Sequence, residues 1–168
     1  MRSMSSPVHA FGDDALGYDD GFGLAARLAK GEVSRHEVLE AALARAEAVR
    51  QLNAVETLDA YRAHAFADEQ RVGPFSGVPT FVKDNTDLAG LATGHGSEGI
   101  VAKPAGKDAG FTRLIRDSGL VPLGKSRLPE FGFNASTEFM TAEPARNPWN
   151  LDYSTGASSG GAAALVAA

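Results

Sequence analysis

The sequence has no cysteine, no block of basic residues and no long apolar run, and each absence removes a class of function. Without thiols there are no disulfides, no thiolate nucleophile and no zinc–thiolate site, which is compatible with the reducing cytosol expected here as the compartment. Sixteen Lys and Arg stand against 21 Asp and Glu, a formal net charge of −5, with both signs scattered along the chain. No stretch tracks a phosphate backbone, so nucleic acid is not an expected partner. Apolar stretches fall short of the ~20 residues that span a bilayer. The first residues lack the apolar segment of a secretory signal, and a soluble protein without membrane contact is expected.

What is present suits one α/β core. With 168 residues, 43% of them hydrophobic, a chain of this size buries roughly 70% of its unfolded surface. Residues 1–20, acidic and rich in Gly and Ser, are expected to be a flexible N-terminus or to lie along a surface. Residues 21–72 are read as a helical layer. Its clearest helix opens at Ser34, whose partner Glu37 completes a capping box, with Val33 and Val38 as a staple and Leu39, Ala42, Leu43, Ala46 and Val49 as an apolar stripe. Shorter helices are expected around Phe22–Lys30 and Asp59–Val72. From residue 73 onward Gly and Pro punctuate β-branched runs, and residues 73–168 read as strand (Val78–Lys83), helix (with Phe111, Leu114 and Ile115 on one face, closed by Gly119) and strand ("LVPLGK").

Four features bear on chemistry. "GLVPLGKS", Gly119–Ser126, matches the pattern of a phosphate-binding loop, but its apolar middle suits a strand and Pro129 blocks the helix that should follow. Lys83 closes an apolar run; it is either a lysine whose pKa falls in a dry site, able to act as a base, or a solvated strand end. Ser154, Thr155, Ser158 and Ser159 alternate with Gly156, Gly160 and Gly161 ahead of an Ala-rich helix. That run is either an anion or oxyanion cradle at a helix N-terminus or a linker whose hydroxyls cap the helix. His9, His36, His64 and His95 show no metal-ligand spacing, and neither a metal nor an organic cofactor is expected.

Taken in order, "GVPTFVKDN", "LVPLGKSRLPEFGF", "NASTE", "RNPWN" and "STGASSGGAAALVAA" resemble the amidase signature family from about Val33 to the last residue. The resemblance implies a mixed α/β sheet, incomplete in this chain, and a Ser, cis-Ser, Lys triad that cleaves carboxylic amides and some esters. Lys83 takes the place of the family's lysine and Ser158 that of the bridging serine, whose peptide bond is cis in the family; they lie 75 residues apart. By the same match Ser159 helps hold the lysine. Phe133 takes a substrate-facing position, with a core phenylalanine beside Phe131 as the alternative.

Departures from the family sharpen the expectation. The family's nucleophilic serine lies further along, in a second Gly/Ser segment, whereas this chain ends ten residues past Ser158. The 168 residues are therefore expected to be inactive alone, with the missing C-terminal segment of the same fold as their partner and a small-molecule amide as substrate of the complete protein. Ala157 stands where a second glycine is common, and His95 where a small residue is more usual. Two other readings stay open: the transamidating subunit of a tRNA-dependent amidotransferase, and a non-catalytic binding module that retains the fold.

Overall fold

The computed structural model describes residues 6–168. Helix α1 (Gly21–Lys30) is capped by Asp20, whose carboxylate accepts from the amides of Phe22 and Gly23. In α2 (Arg35–Ala48) the Ser34–Glu37 capping box is formed in both directions. Of the predicted stripe Leu39, Ala42, Ala46 and Val49 are buried and Leu43 is partly buried, and the staple residue Val38 is buried as well. The stretch read as purely helical also contains a strand, β1 (Val55–Leu58), before α3 (Ala60–Asp68). Only four residues long, with inward and outward positions alternating, β1 leaves no apolar run to betray it.

Strands β2 (Pro79–Lys83) and β3 (Val121–Ser126) flank the crossover helix α4 (Gly110–Asp117) and pair in parallel. The sheet runs β1-β3-β2, with β1 antiparallel to β3, so β3 is the centre and all six of its residues are buried. The Gly119–Ser126 motif is thus mostly strand, with no open phosphate cradle. A hairpin of β4 (Arg146–Asn147) and β5 (Asn150–Ser154) leads into α5 (Gly160–Ala167).

Helix α4 corrects the expected face. Phe111 and Leu114 point outward and are exposed, while Thr112 and Arg116 are buried. The inward residues are polar because the helix docks on polar partners: Thr112 Oγ1 donates to the Asp87 carbonyl at 2.6 Å, and Arg116 bonds Asp108 at 2.5 Å, pairs with Glu69 and lies over the Phe66 ring.

The flexible N-terminus expected over residues 1–20 lies, for residues 1–5, outside the described residues. Residues 6–20 run along the surface and are pinned to it. The Val8 amide donates to the Pro148 carbonyl and that of Ala10 to Ala168, and Arg45 grips the Asp14 carboxylate. That guanidinium holds the Asp14 carboxyl below its ordinary pKa.

Candidate active site

The end of β2 and the turn before α5 meet at one point. Lys83, the last residue of β2, reaches with Nζ to Ser158 Oγ at 2.7 Å, and the Ala157–Ser158 peptide is cis. Burial pushes the Lys83 amine below its ordinary pKa, with no carboxylate offsetting the shift. The strand end is therefore not a freely solvated lysine.

The residue after Lys83 holds it in place. Asp84 is buried, and its carboxylate accepts from Lys125 Nζ at 2.9 Å and from the Gly94 amide at 3.0 Å. Its own backbone amide donates to the Ser126 carbonyl and its carbonyl accepts from His95. Lys125, with a side chain 0% exposed, also donates to Thr93 Oγ1 and the Ala92 carbonyl. Four bonds to Asp84 thus fasten the end of β2 to β3 and to the loop at residues 93–95. Sequence reasoning missed this network, although its signal was present: Lys125 is the lysine of the false phosphate-loop motif, placed near the end of the run "LVPLGKS" that reads as a buried strand.

The Ser/Gly run is a built turn, not a linker. Thr137, fully buried, donates to the Gly156 carbonyl at 2.8 Å. A Cβ on Gly161 would lie 2.3 Å from the Ala54 carbonyl oxygen and 2.6 Å from the Arg127 nitrogen, so only glycine lets the start of α5 touch the sheet there. Ala157 keeps a negative φ, and the left-handed turn falls on Gly156 instead. Ser159 precedes α5 with its side chain exposed and makes no capping bond; the bond of Lys83 runs to Ser158.

The third wall is the turn Glu130–Gly132. Gly132 has φ +74°, and a Cβ there would be 3.6 Å from Ser158 Cβ, so this turn passes directly beside Ser158. His95 clasps it: its carbonyl accepts from the Phe131 amide at 2.7 Å and its ring stacks on Phe131. Phe133 is 89% exposed and takes no part in the core of the described residues. The loop bearing His95 is tied in turn by Glu98, which accepts from Thr141 and the Ala142 amide; these bonds hold its carboxyl below the ordinary value.

A desolvated lysine bonded to a serine, beside a glycine turn that carries aromatics, is the geometry found. A family model described as Amidase matches residues 37–168. The chain belongs to the amidase family. It is 51% identical over 162 residues to the Mycobacterium leprae protein named "Putative amidase AmiC", covering 96% of this chain and 35% of that protein. It is 38% identical to one component of the glutamyl-tRNA(Gln) amidotransferase of Deinococcus radiodurans, covering 88% of this chain and 33% of that component. Among solved structures, 6-aminohexanoate cyclic dimer hydrolase complexed with substrate superposes with a TM-score of 0.83 at 37% identity, over 89% of this chain and 32% of that one. The chain thus spans about a third of the length of the curated relatives it matches. Among the described residues, no helix is long and apolar enough to cross a membrane.

Proposed function

We propose that the complete protein hydrolyses carboxylic amides, with Lys83 as general base and Ser158 as the relay between it and a nucleophilic hydroxyl. The observation that carries this reading is the 2.7 Å bond between Lys83 Nζ and Ser158 Oγ, made by a lysine that burial drives toward its neutral form. A neutral amine has a lone pair. It takes the Ser158 proton while Ser158 Oγ takes the proton of the nucleophile, whose oxygen bonds to the amide carbon as the carbonyl pair moves onto oxygen. When the tetrahedral adduct collapses, the C–N bond breaks and the proton returns through Ser158 to the departing nitrogen. Water then attacks the acyl-enzyme through the same relay, releasing carboxylate.

In this reading the nucleophile comes from the part of the fold that the relatives carry beyond the shared third, and the 168 residues alone turn over no amide. Phe133, exposed next to Gly132, supplies apolar contact to the acyl or amine portion of a small amide. A transamidating role draws on the likeness to the amidotransferase component, but the likeness to AmiC is stronger, 51% against 38% identity. The deciding experiment is turnover of a simple aryl amide by the full-length protein with no other protein added. Lys83→Ala and Ser158→Ala are each expected to lower kcat roughly 10²–10⁴-fold. Undiminished turnover by Lys83→Ala would overturn the assignment, and ligand binding without turnover in the unmutated protein would favour the binding module.

A further inference from the structure

Two residues other than glycine hold left-handed backbone at the site, and they are bonded to each other. His95 has φ +55° and Phe131 has φ +50°. Such backbone is uncommon for a residue with a side chain, and it persists chiefly where a site has a use for it. The His95 amide donates to the Asp84 carbonyl at 3.0 Å and its carbonyl accepts from the Phe131 amide at 2.7 Å. Glycine would make both bonds from the same backbone without strain. What glycine cannot supply is the imidazole.

That ring is not spent on the fold. It stacks on Phe131 with centroids 6.3 Å apart and planes 28° apart, and among the described residues its nitrogens make no hydrogen bond. Phe131 is 48% exposed and stands outside the buried core. The pair also bridges the two ends of the proposed relay. His95 is bonded to Asp84, which follows Lys83, and Phe131 precedes Gly132, where a Cβ would lie 3.6 Å from Ser158 Cβ and 3.7 Å from its Oγ. The two segments are clamped together around it: a Cβ on Gly96 would meet the Leu128 carbonyl oxygen at 2.4 Å, and Ser97 Oγ donates to Glu130 at 2.6 Å. A half-exposed aromatic pair is thus held firmly next to the place where the scissile carbonyl must lie.

We propose that His95 is a specificity-determining residue, its ring widening the Phe131 face into a platform that favours amides bearing an aromatic ring. This rests on the reading of Lys83 and Ser158 as the relay, which fixes where the scissile amide lies. Aromatic rings in offset or edge contact gain more than the burial of their area, so a flat substrate ring draws from the pair what a saturated ring of equal size does not. The left-handed backbone at residue 95 is then the cost of aiming the imidazole along Phe131 while its amide and carbonyl stay bonded.

The test uses the full-length protein and two matched substrate pairs, benzamide with cyclohexanecarboxamide and acetanilide with N-cyclohexylacetamide, which place the ring on either side of the scissile bond. The unmutated protein is expected to favour the aromatic member of at least one pair. His95→Gly, unstrained at this φ, should lower that preference in kcat/KM roughly 3–10-fold, through the KM of the aromatic substrate. His95→Asn tolerates the same backbone without a ring and should follow the glycine variant. His95→Phe, which restores a ring, should retain the preference. A merely structural histidine would move the thermal midpoint, or both members of a pair alike. If neither pair shows an aromatic preference, or if the preference survives in the Gly and Asn variants, the role of His95 is overturned, while turnover that still falls in Lys83→Ala leaves the relay standing. Turnover of no amide, or undiminished turnover by Lys83→Ala, sinks the relay and with it the placement of the substrate ring.

Discussion

Lys83 and Lys125 sit at the ends of adjacent parallel strands, one register step apart, and point to opposite faces of one sheet. Lys125 is fully buried and fully engaged: a carboxylate at 2.9 Å, a threonine hydroxyl at 3.1 Å and a carbonyl at 3.3 Å. Lys83 is half-buried, has a serine hydroxyl for company, and no carboxylate offsets its desolvation. Deeper burial does not by itself make a lysine reactive. The deeper lysine is compensated and does the work of a bolt, while the shallower one is left without a counter-charge and is the one driven toward neutrality.

Mutation should separate the two roles completely. Lys125→Ala leaves the Asp84 carboxylate buried without its cation, and is expected to destabilise the fold by about 3–5 kcal/mol. Chemical denaturation would show this as a lower midpoint with little change in slope. Lys83→Ala should instead leave the midpoint unchanged or raised, because it removes a desolvated amine, while lowering kcat for the amide by the roughly 10²–10⁴-fold expected for loss of a general base. If both variants lose stability equally, the division between bolt and base is wrong.

Asp84→Asn sharpens the comparison from the other side. The amide oxygen can still accept from Gly94 or Lys125, but the ammonium loses its counter-charge. A loss of about 2–3 kcal/mol is expected, less than for Lys125→Ala, since a hydrogen bond to a charged group survives. Turnover should fall too, because the strand end that presents Lys83 is fastened through this residue.

The different legibility of the two faces follows from the same physics. Helix α2 was readable because capping is a local event: Ser34 and Glu37 are three residues apart and satisfy each other's amides. Lys83 and Ser158 emerged through resemblance, since nothing in residue type alone joins positions 75 apart. The network of Asp84, Thr93 and Lys125 stayed hidden because three segments build it, and each contributes one polar residue that reads singly as a loop or surface group. Strand β1 and the inward Arg116 of α4 were missed for a related reason, namely that partners elsewhere in the chain outweigh the local apolar pattern.

Acidity offers a gentler probe. The folded pKa of Lys83 lies below its ordinary 10.5. Between the two values the unfolded chain binds more protons than the folded one, so stability rises with pH across that window. Below the folded pKa both forms carry the proton, and the cost of burying the ammonium is fully present. Lys83→Met should flatten the rise between neutral and alkaline pH and add stability on the neutral side, as pH-dependent thermal melts would register. Lys125→Met should show no such gain, because it strands Asp84.

The smallest expected effect belongs to the turn beside Ser158. Gly132 has φ +74°, which costs an alanine roughly 1–2 kcal/mol, whereas the added Cβ would meet Ser158 Cβ at 3.6 Å, an ordinary contact. Gly132→Ala should therefore destabilise the fold by about 1 kcal/mol through the backbone and not through a clash. Its chemical consequence depends on whether the turn shifts to relieve the strain. Phe131 is held by the His95 carbonyl at 2.7 Å, so movement is expected on the Phe133 side, raising KM more than it lowers kcat. A fall in kcat alone would mean that the strain passes to Ser158, and would tie the glycine turn to the relay and not to the substrate wall.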